Sequence, residues 1–382
     1  MFKSFSNISL IVASLSLSAC ATPITSAPHG SSAEIAIEAA KQRDFAYKIA
    51  VDDIYNNSRK IQQLSYPIVK NSTILCKNHT IHDYGIRVWH QDMLPKKYRD
   101  MAHKLYGLDD QINVYMTVGG SPAAKAGMNR GDIILAVNNT GFTPGSSAIK
   151  EYQNTLKKNK NKTVKFTIKR DQKTLTYNVK PDTVCNSPIV YQYNEKSINA
   201  FADGKQMYLT KGMMDFVKSD NELALIISHE LGHNVMDHIS KKKQNAAAGT
   251  FVGLLLDVAV VAAGGYNPNM SQSFANIGLS AYSVEFEQEA DYVGLYIMAR
   301  ANQDTVNAEM LWRRMSAEVS PRGISVRTTH PAHAERFISI KKANEEIALK
   351  KSKGQALVPN IDPEKLTRSQ PPENKRGKKL ND

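Results

Sequence analysis

The run His229-Glu230-Leu231-Gly232-His233 places two imidazoles four positions apart with a carboxylate between them. On a helix such positions share a face, so His229 and His233 can offer two nitrogens to one zinc ion. Glu230, one residue round, reaches a water at that metal without ligating it. The set suits metal-assisted hydrolysis, with Glu230 as general base. The preceding Asn221–Ser228 is apolar at helical spacing, which puts the motif in a buried helix. Two histidines that merely capped a core helix would leave Glu230 buried without a partner, at considerable cost.

A catalytic zinc needs a third protein ligand and an open position. Glu287-Gln-Glu-Ala-Asp291 lies in a second helical pattern, with Glu287 and Asp291 on one face. The pair resembles the ExxxD element of gluzincin peptidases. That resemblance implies Glu287 as the third ligand and Asp291 as acceptor of the N–H of a ligating histidine, which orients the ring. Glu285 and Glu289, two residues to either side of Glu287, face away and read as ordinary helix-surface acids. His238, five beyond His233, falls off the ligand face and reads as a cation near the helix C-terminus.

Asn199–Ala202, Met207–Gly212, Glu222-Leu-Ala, the HExxH run, Glu287–Asp291 and Thr329-His330-Pro331 with Arg336 follow one another in a specific order. In this the sequence resembles the zinc metallopeptidase family of HtpX, the Oma-type protease and the CAAX prenyl protease, over about Ile189–Leu349. Val284 departs from the basic residue that many relatives carry there. The resemblance implies a catalytic part for His330, as fourth ligand or transition-state donor, with Arg336 supporting it. It also implies that a strand near Ala200–Leu209 holds an extended substrate by main-chain pairing.

The elements that must position these residues fall into two patterns. From Tyr84 to Pro181 short β-runs alternate with Gly, Asn and Pro turns: Ile86–Trp89, Ile112–Val118, Ile133–Val137, Val164–Ile168 and Leu175–Val179, with one helix near Ser146–Leu156. Gly120–Asn138 closely resembles the PDZ motif of bacterial proteases, and Tyr84–Val88 that family's carboxylate-binding loop and edge strand. Gly85 and Ile86 would there meet a peptide C-terminus, unless the insertion Trp89–Gly107 covers the groove. Helices are expected at Ala33–Gln63, capped by Ser31 or Ser32, at Asp220–His238, Ser280–Ala301, near Thr305–Ala317 and at Pro331–Leu349. The expected fold is α+β, a mainly helical gluzincin-type domain (33–75 and 186–349) with an inserted β-rich PDZ domain (76–185). The apolar run Ala246–Ala263, interrupted by Asp257, reads as a buried or lid-like segment rather than a membrane span.

Residues 1–19 read as a signal peptide, with Lys3, an apolar Ile8–Leu17 and Leu17-Ser18-Ala19-Cys20 at its end. The last four resemble a bacterial lipobox, which implies cleavage before Cys20, lipidation of that cysteine and a tether over 20–32. Ala21 favours the outer membrane, facing the periplasm. In that oxidising compartment Cys76 and Cys185 are expected to form a disulfide across the base of the β-rich segment.

Lys plus Arg number 49 against 36 Asp plus Glu in 382 residues, a net charge of +13. Two segments hold nearly all of it, Lys150–Lys173 at +7 and Lys341–Asp382 at +5. Neither interleaves aromatics with charge, and export argues against a nucleic-acid partner. Residues 350–382 lack periodicity and read as a disordered basic tail. The expected partners are protein and peptide substrates, the membrane through the lipid anchor, and envelope assembly factors. The expected function is a zinc endopeptidase, one Zn²⁺ per chain, acting on unfolded or flexible envelope proteins. The alternative is a non-catalytic adaptor that binds envelope proteins, but such a module has no need of Glu230.

Overall fold

A computed structural model describes residues 28–76, 79–247, 282–319, 330 and 334–361. The signal segment with Cys20, residues 248–281 with most of the apolar run, and 362–382 lie outside the described residues. The chain divides into two units, 1–46 and 47–382.

Helix α1 (Ser32–Asn71) starts at a reciprocal cap. Glu34 N–H donates to Ser31 Oγ at 3.3 Å, and Ser31 N–H donates to Glu34 Oε2 at 2.7 Å. In the first unit its Ile35, Ile37 and Phe45 are exposed. In the second unit the helix runs past Gln63, with Pro67 inside it, because Ile61, Tyr66, Ile68 and Val69 are buried in the main core. Tertiary burial there overrides a weak local pattern.

The β-rich segment contains β1 (Thr80–Asp83), β2 (Ile86–Trp89), α2 (Lys96–Tyr106), β3 (Asn113–Thr117), α3 (Pro122–Ala126), β4 (Ile133–Val137), β5 (Thr140–Gly141), α4 (Ala148–Lys158), β6 (Val164–Arg170), β7 (Lys173–Val179) and β8 (Asp182–Cys185). Antiparallel strands run β2-β3-β4-β6-β7, with β2 at an edge. Ile86, Val114, Ile134, Val164, Phe166 and Ile168 form its core. Strands β1 and β8 pair with Thr80 opposite Cys185, and the disulfide Cys76–Cys185 closes the same place with Cα atoms 5.7 Å apart. The insertion Trp89–Gly107 packs on α1: Trp89, Leu94 and Ala102 join Val51, Ile54 and Tyr55 in a separate apolar cluster.

The second half contains β9 (Ile189–Gln192), β10 (Ala200–Ala202), β11 (Met207–Thr210), α5 (Lys211–Phe216), α6 (Asp220–Val235), α7 (His238–Ala247), α8 (Val284–Arg300), α9 (Glu309–Val319) and α10 (Ala334–Ser352). The sheet order is β10-β11-β9, which leaves β10 at an edge among the described residues. Helix α6 begins where Ser219 Oγ accepts from Glu222 N–H at 3.2 Å and Glu222 Oε2 accepts from Lys218 N–H at 2.6 Å. Its buried residues pack with those of α8, α9 and α10 and with Met116 and Val118 of the β-rich segment. Helices α6 and α8 approach closely through two glycines. A Cβ on Gly232 would lie 2.9 Å from Ala290 O, and one on Gly294 would lie 3.1 Å from His229 Cα.

Two further boundaries differ from expectation. The helix expected over Asp220–His238 breaks at Asp237, whose φ is +55°, and α7 starts anew at His238. At the other end, the chain stays packed beyond residue 350. Arg300 Nη1 donates to Leu357 O at 3.3 Å, and Asn360 N–H donates to Tyr292 Oη at 2.9 Å. No helix among the described residues is long and apolar enough to cross a membrane.

Candidate active site

Helices α6 and α8 bring His229, His233 and Glu287 together, and His330 joins them from the connection before α10. One ligand atom from each of the four lies within 4.8 Å of every other. His229 Nε2 is 3.1 Å from His233 Nε2 and 3.5 Å from Glu287 Oε2, and His233 Nε2 is 3.4 Å from Glu287 Oε1. Ligands at zinc–nitrogen lengths of about 2.0–2.1 Å in tetrahedral array stand about 3.3–3.4 Å apart. The observed spacings match that value, and the nitrogen and carboxylate donors suit zinc, so the residues fit the metal.

Glu230 is buried beside this set. Its Oε1 lies 3.2 Å from His330 Nε2, while its Oε2 is buried with no hydrogen-bond partner among the described residues. His330 Nδ1 is 2.8 Å from Glu287 Oε1 and 3.2 Å from His229 Nε2. Burial alone would lower the His330 pKa, but the charges of Glu287 and Glu230 outweigh it and push it up to about 10. Burial dominates at His233 and holds it well below the usual imidazole range.

The ligands are held from behind. His229 Nδ1 is 2.9 Å from Asp291 Oδ1. Arg336 is fully buried, with Nε 2.7 Å and Nη2 2.8 Å from the Asp291 carboxylate and Nη1 2.9 Å from Glu287 Oε2. Its guanidinium lies 4.6 Å from the Trp312 ring centroid, and that ring packs on His229. Burial would raise the carboxyl pKa values. The His330 and Arg336 charges hold Glu287 well below the carboxylate range, and Arg336 lowers the pKa of Asp291. Arg336 thus stands behind Glu287 and Asp291, a supporting position.

His238 and Glu289 need a larger correction. His238 is fully buried, and its Nδ1 lies 2.8 Å from His233 Nδ1. Its Nε2 lies 2.8 Å from Glu289 Oε2, so Glu289 is no ordinary surface acid. Counting five residues along an unbroken helix put His238 on the wrong face; the left-handed turn at Asp237 brings it back. A histidine five beyond HExxH, preceded by an Asp that tolerates such a turn, was the available signal.

The edge strand β10 runs beside the ligands. Asn199 pairs with Thr210 and Asp203 with Gln206 through the ladder to β11, so by the two-residue period Ala200 and Ala202 turn their polar groups away from β11. Ala200 O stands 3.2 Å from His330 Nε2, and Ala202 O accepts from Tyr282 Oη–H at 3.4 Å. The Tyr282 ring stacks on His233.

Gly85 and Ile86 lie far along the sequence from this centre, at the start of β2. Gly85 has φ +76°, and a Cβ there would collide with Ser121, which caps α3. The Gly85 N–H donates to Asp83 Oδ1 at 2.7 Å, and Arg87 grips the same carboxylate. That amide is thus already paired with an internal carboxylate. Ile86 begins β2, an edge strand of that sheet among the described residues.

Comparison with known proteins agrees with these two parts. The chain matches the model of peptidase family M48 over residues 164–344 and a PDZ domain model over residues 95–180. It is 29% identical over 157 residues to the mitochondrial metalloendopeptidase OMA1 of Schizosaccharomyces pombe, covering 40% of this chain and 45% of that protein. To the metalloprotease LoiP of Escherichia coli it is 30% identical over 162 residues, covering 41% and 62%. To the beta-barrel assembly-enhancing protease of Yersinia pestis it is 30% identical over 122 residues, covering 30% and 25%. The chain thus spans less than two thirds of the length of these curated relatives.

Proposed function

We propose that this chain, which joins a peptidase family M48 domain to a PDZ domain, is a zinc endopeptidase acting on unfolded or flexible segments of cell-envelope proteins. The observation that carries the reading is the buried set of His229, His233 and Glu287 at tetrahedral spacing with the Glu230 carboxylate beside it. Zinc held by these three would polarise a scissile carbonyl and acidify a water.

Glu230 takes the proton of the attacking water and passes it to the leaving amine. Its Oε2, without a hydrogen-bond partner among the described residues, is the atom for that transfer. His330 stands between Glu230 and Glu287, placed to donate to a developing oxyanion or to serve as a fourth ligand. Substrate lies antiparallel along β10, bonding to Ala200 and Ala202, so the groups now on that edge, His330 and Tyr282 among them, must yield. A backbone-read substrate has to be extended, which favours unfolded segments. The PDZ segment captures chains by strand addition at β2. The pairing of Gly85 N–H with Asp83 argues against that amide holding a terminal carboxylate.

The relatives include a beta-barrel assembly-enhancing protease, and the Leu17-Ser18-Ala19-Cys20 run supports export with lipidation at Cys20; both favour an enzyme anchored at the outer membrane and facing the periplasm. The decisive variant is Glu230→Gln. It should bind one zinc per chain and lose hydrolysis of an unfolded protein by about 10²–10⁴-fold. Full activity in this variant, or no zinc in the wild type, would reject the reading. Full rescue of a deletion strain by Glu230→Gln would favour the adaptor.

A further inference from the structure

We infer that His238 and Glu289 form a positioning relay that fixes the tautomer and ring orientation of His233 as a metal ligand. The inference rests on the reading of His229, His233 and Glu287 as the zinc set. It concerns the far side of one of those ligands. His238 Nε2 faces Glu289 Oε2 at 2.8 Å, and an ionised carboxylate only accepts, so the proton on that side belongs to His238 Nε2. A neutral His238 then presents a bare Nδ1 to His233 Nδ1, 2.8 Å away. His233 must donate there, which leaves its Nε2 without a proton and directed at His229 Nε2 and Glu287 Oε1. That is the tautomer a metal requires.

Packing holds the relay in place. The His238 ring stacks on Phe286 with centroids 4.7 Å apart, and Tyr282 stacks on His233 with centroids 4.0 Å apart. Lys241 Nζ stands 3.6 Å from Glu289 Oε2 and sustains the charge on that carboxylate. The backbone supplies the geometry, because the positive φ of Asp237 ends α6 and sends His238 back toward the turn it has just left. The two ligating histidines are thus supported differently. His229 is backed by Asp291 and Arg336, both buried, whereas His233 is backed by a chain that ends at a carboxylate 37% exposed.

The test is zinc affinity of the full chain, measured by competition with a chromophoric chelator, alongside thermal unfolding of the metal-free protein. His238→Phe keeps the aromatic packing and removes the hydrogen bonds; it should bind zinc about 10–100-fold more weakly. Glu289→Ala, at a partly exposed position, should weaken zinc by a smaller factor and carries the test if His238→Phe fails to fold. The visible absorption of the cobalt(II) form should shift in both variants, since it reports the ligand set directly. Zinc affinity within twofold of wild type in both variants would overturn the relay, whatever happens to the melting temperature. A wild type that takes up no zinc would instead reject the underlying metal site, and the relay with it.

Discussion

Three carboxylates, three histidines and one arginine share a buried volume around His229, and Arg336 balances two of the acids at once. Its removal leaves Asp291 without its main cation and Glu287 without one of its two, so Arg336→Met should cost about 3–5 kcal/mol in urea unfolding of the metal-free protein. Arg336→Lys should recover little, because an ammonium cannot span both carboxylates. A second pair gives a pH signature away from the metal. Arg314 bonds both oxygens of Glu222, with Nη2 to Oε2 at 2.8 Å, and these bonds hold the Glu222 pKa below its usual 4.5. A depressed acid contributes stability that is present above the unfolded pKa and lost as pH falls through the folded one. The stability difference between wild type and Arg314→Met should therefore be about 1 kcal/mol larger at pH 7 than near pH 3. At this scale the sequence offers His229, Glu230 and His233 by local i to i+4 spacing, and Glu287 with Asp291 by their resemblance to the ExxxD element. The grip of Arg336 on Glu287 and Asp291 is not legible there, since it joins residues more than forty positions apart.

The ligands meet because α6 and α8 can nearly touch. Gly232 and Gly294 sit where a methyl group would press on the opposite backbone, so Gly232→Ala and Gly294→Ala should each cost about 1–3 kcal/mol by overpacking. Both should also weaken zinc, measurable in the same chelator competition, because the strain is relieved by parting the helices that carry the donors. The turn at Asp237 makes a separate prediction. Asp237→Gly should preserve stability and metal affinity, whereas Asp237→Val should lose about 1–2 kcal/mol, since a β-branched residue resists the left-handed region. Most helices were legible from apolar period and caps, as at Ser219 with Glu222. The break between α6 and α7 was not, because Asn234–Asp237 continues a plausible helical pattern. What ends the helix is a set of long-range partners: Ser187 and Gln206 O bind the Asn234 amide, and Glu289 binds His238.

The β-rich segment leaves and re-enters the helical part at one place, where β1 pairs with β8 and Cys76 joins Cys185. The closed loop has a sequence separation of 109 residues. Opening it by Cys76→Ala with Cys185→Ala should lower unfolding stability by up to about 4.7 kcal/mol in the chain-entropy account. A loss near zero in denaturant titrations would show that β1–β8 pairing and the contacts of Met116 and Val118 suffice. The two-part organisation and this pairing could be inferred from motif order and cysteine number. The packing of α2 and Trp89 on α1 could not, since nothing local in Trp89–Gly107 names its partner. The covalent ring also changes what a backbone cut does. Between residues 76 and 185 a single nick releases no fragment, so the clipped molecule keeps its mass until the cystine is reduced. A molecule clipped once there would survive as one body, seen as one band on a non-reducing gel and two on a reducing one.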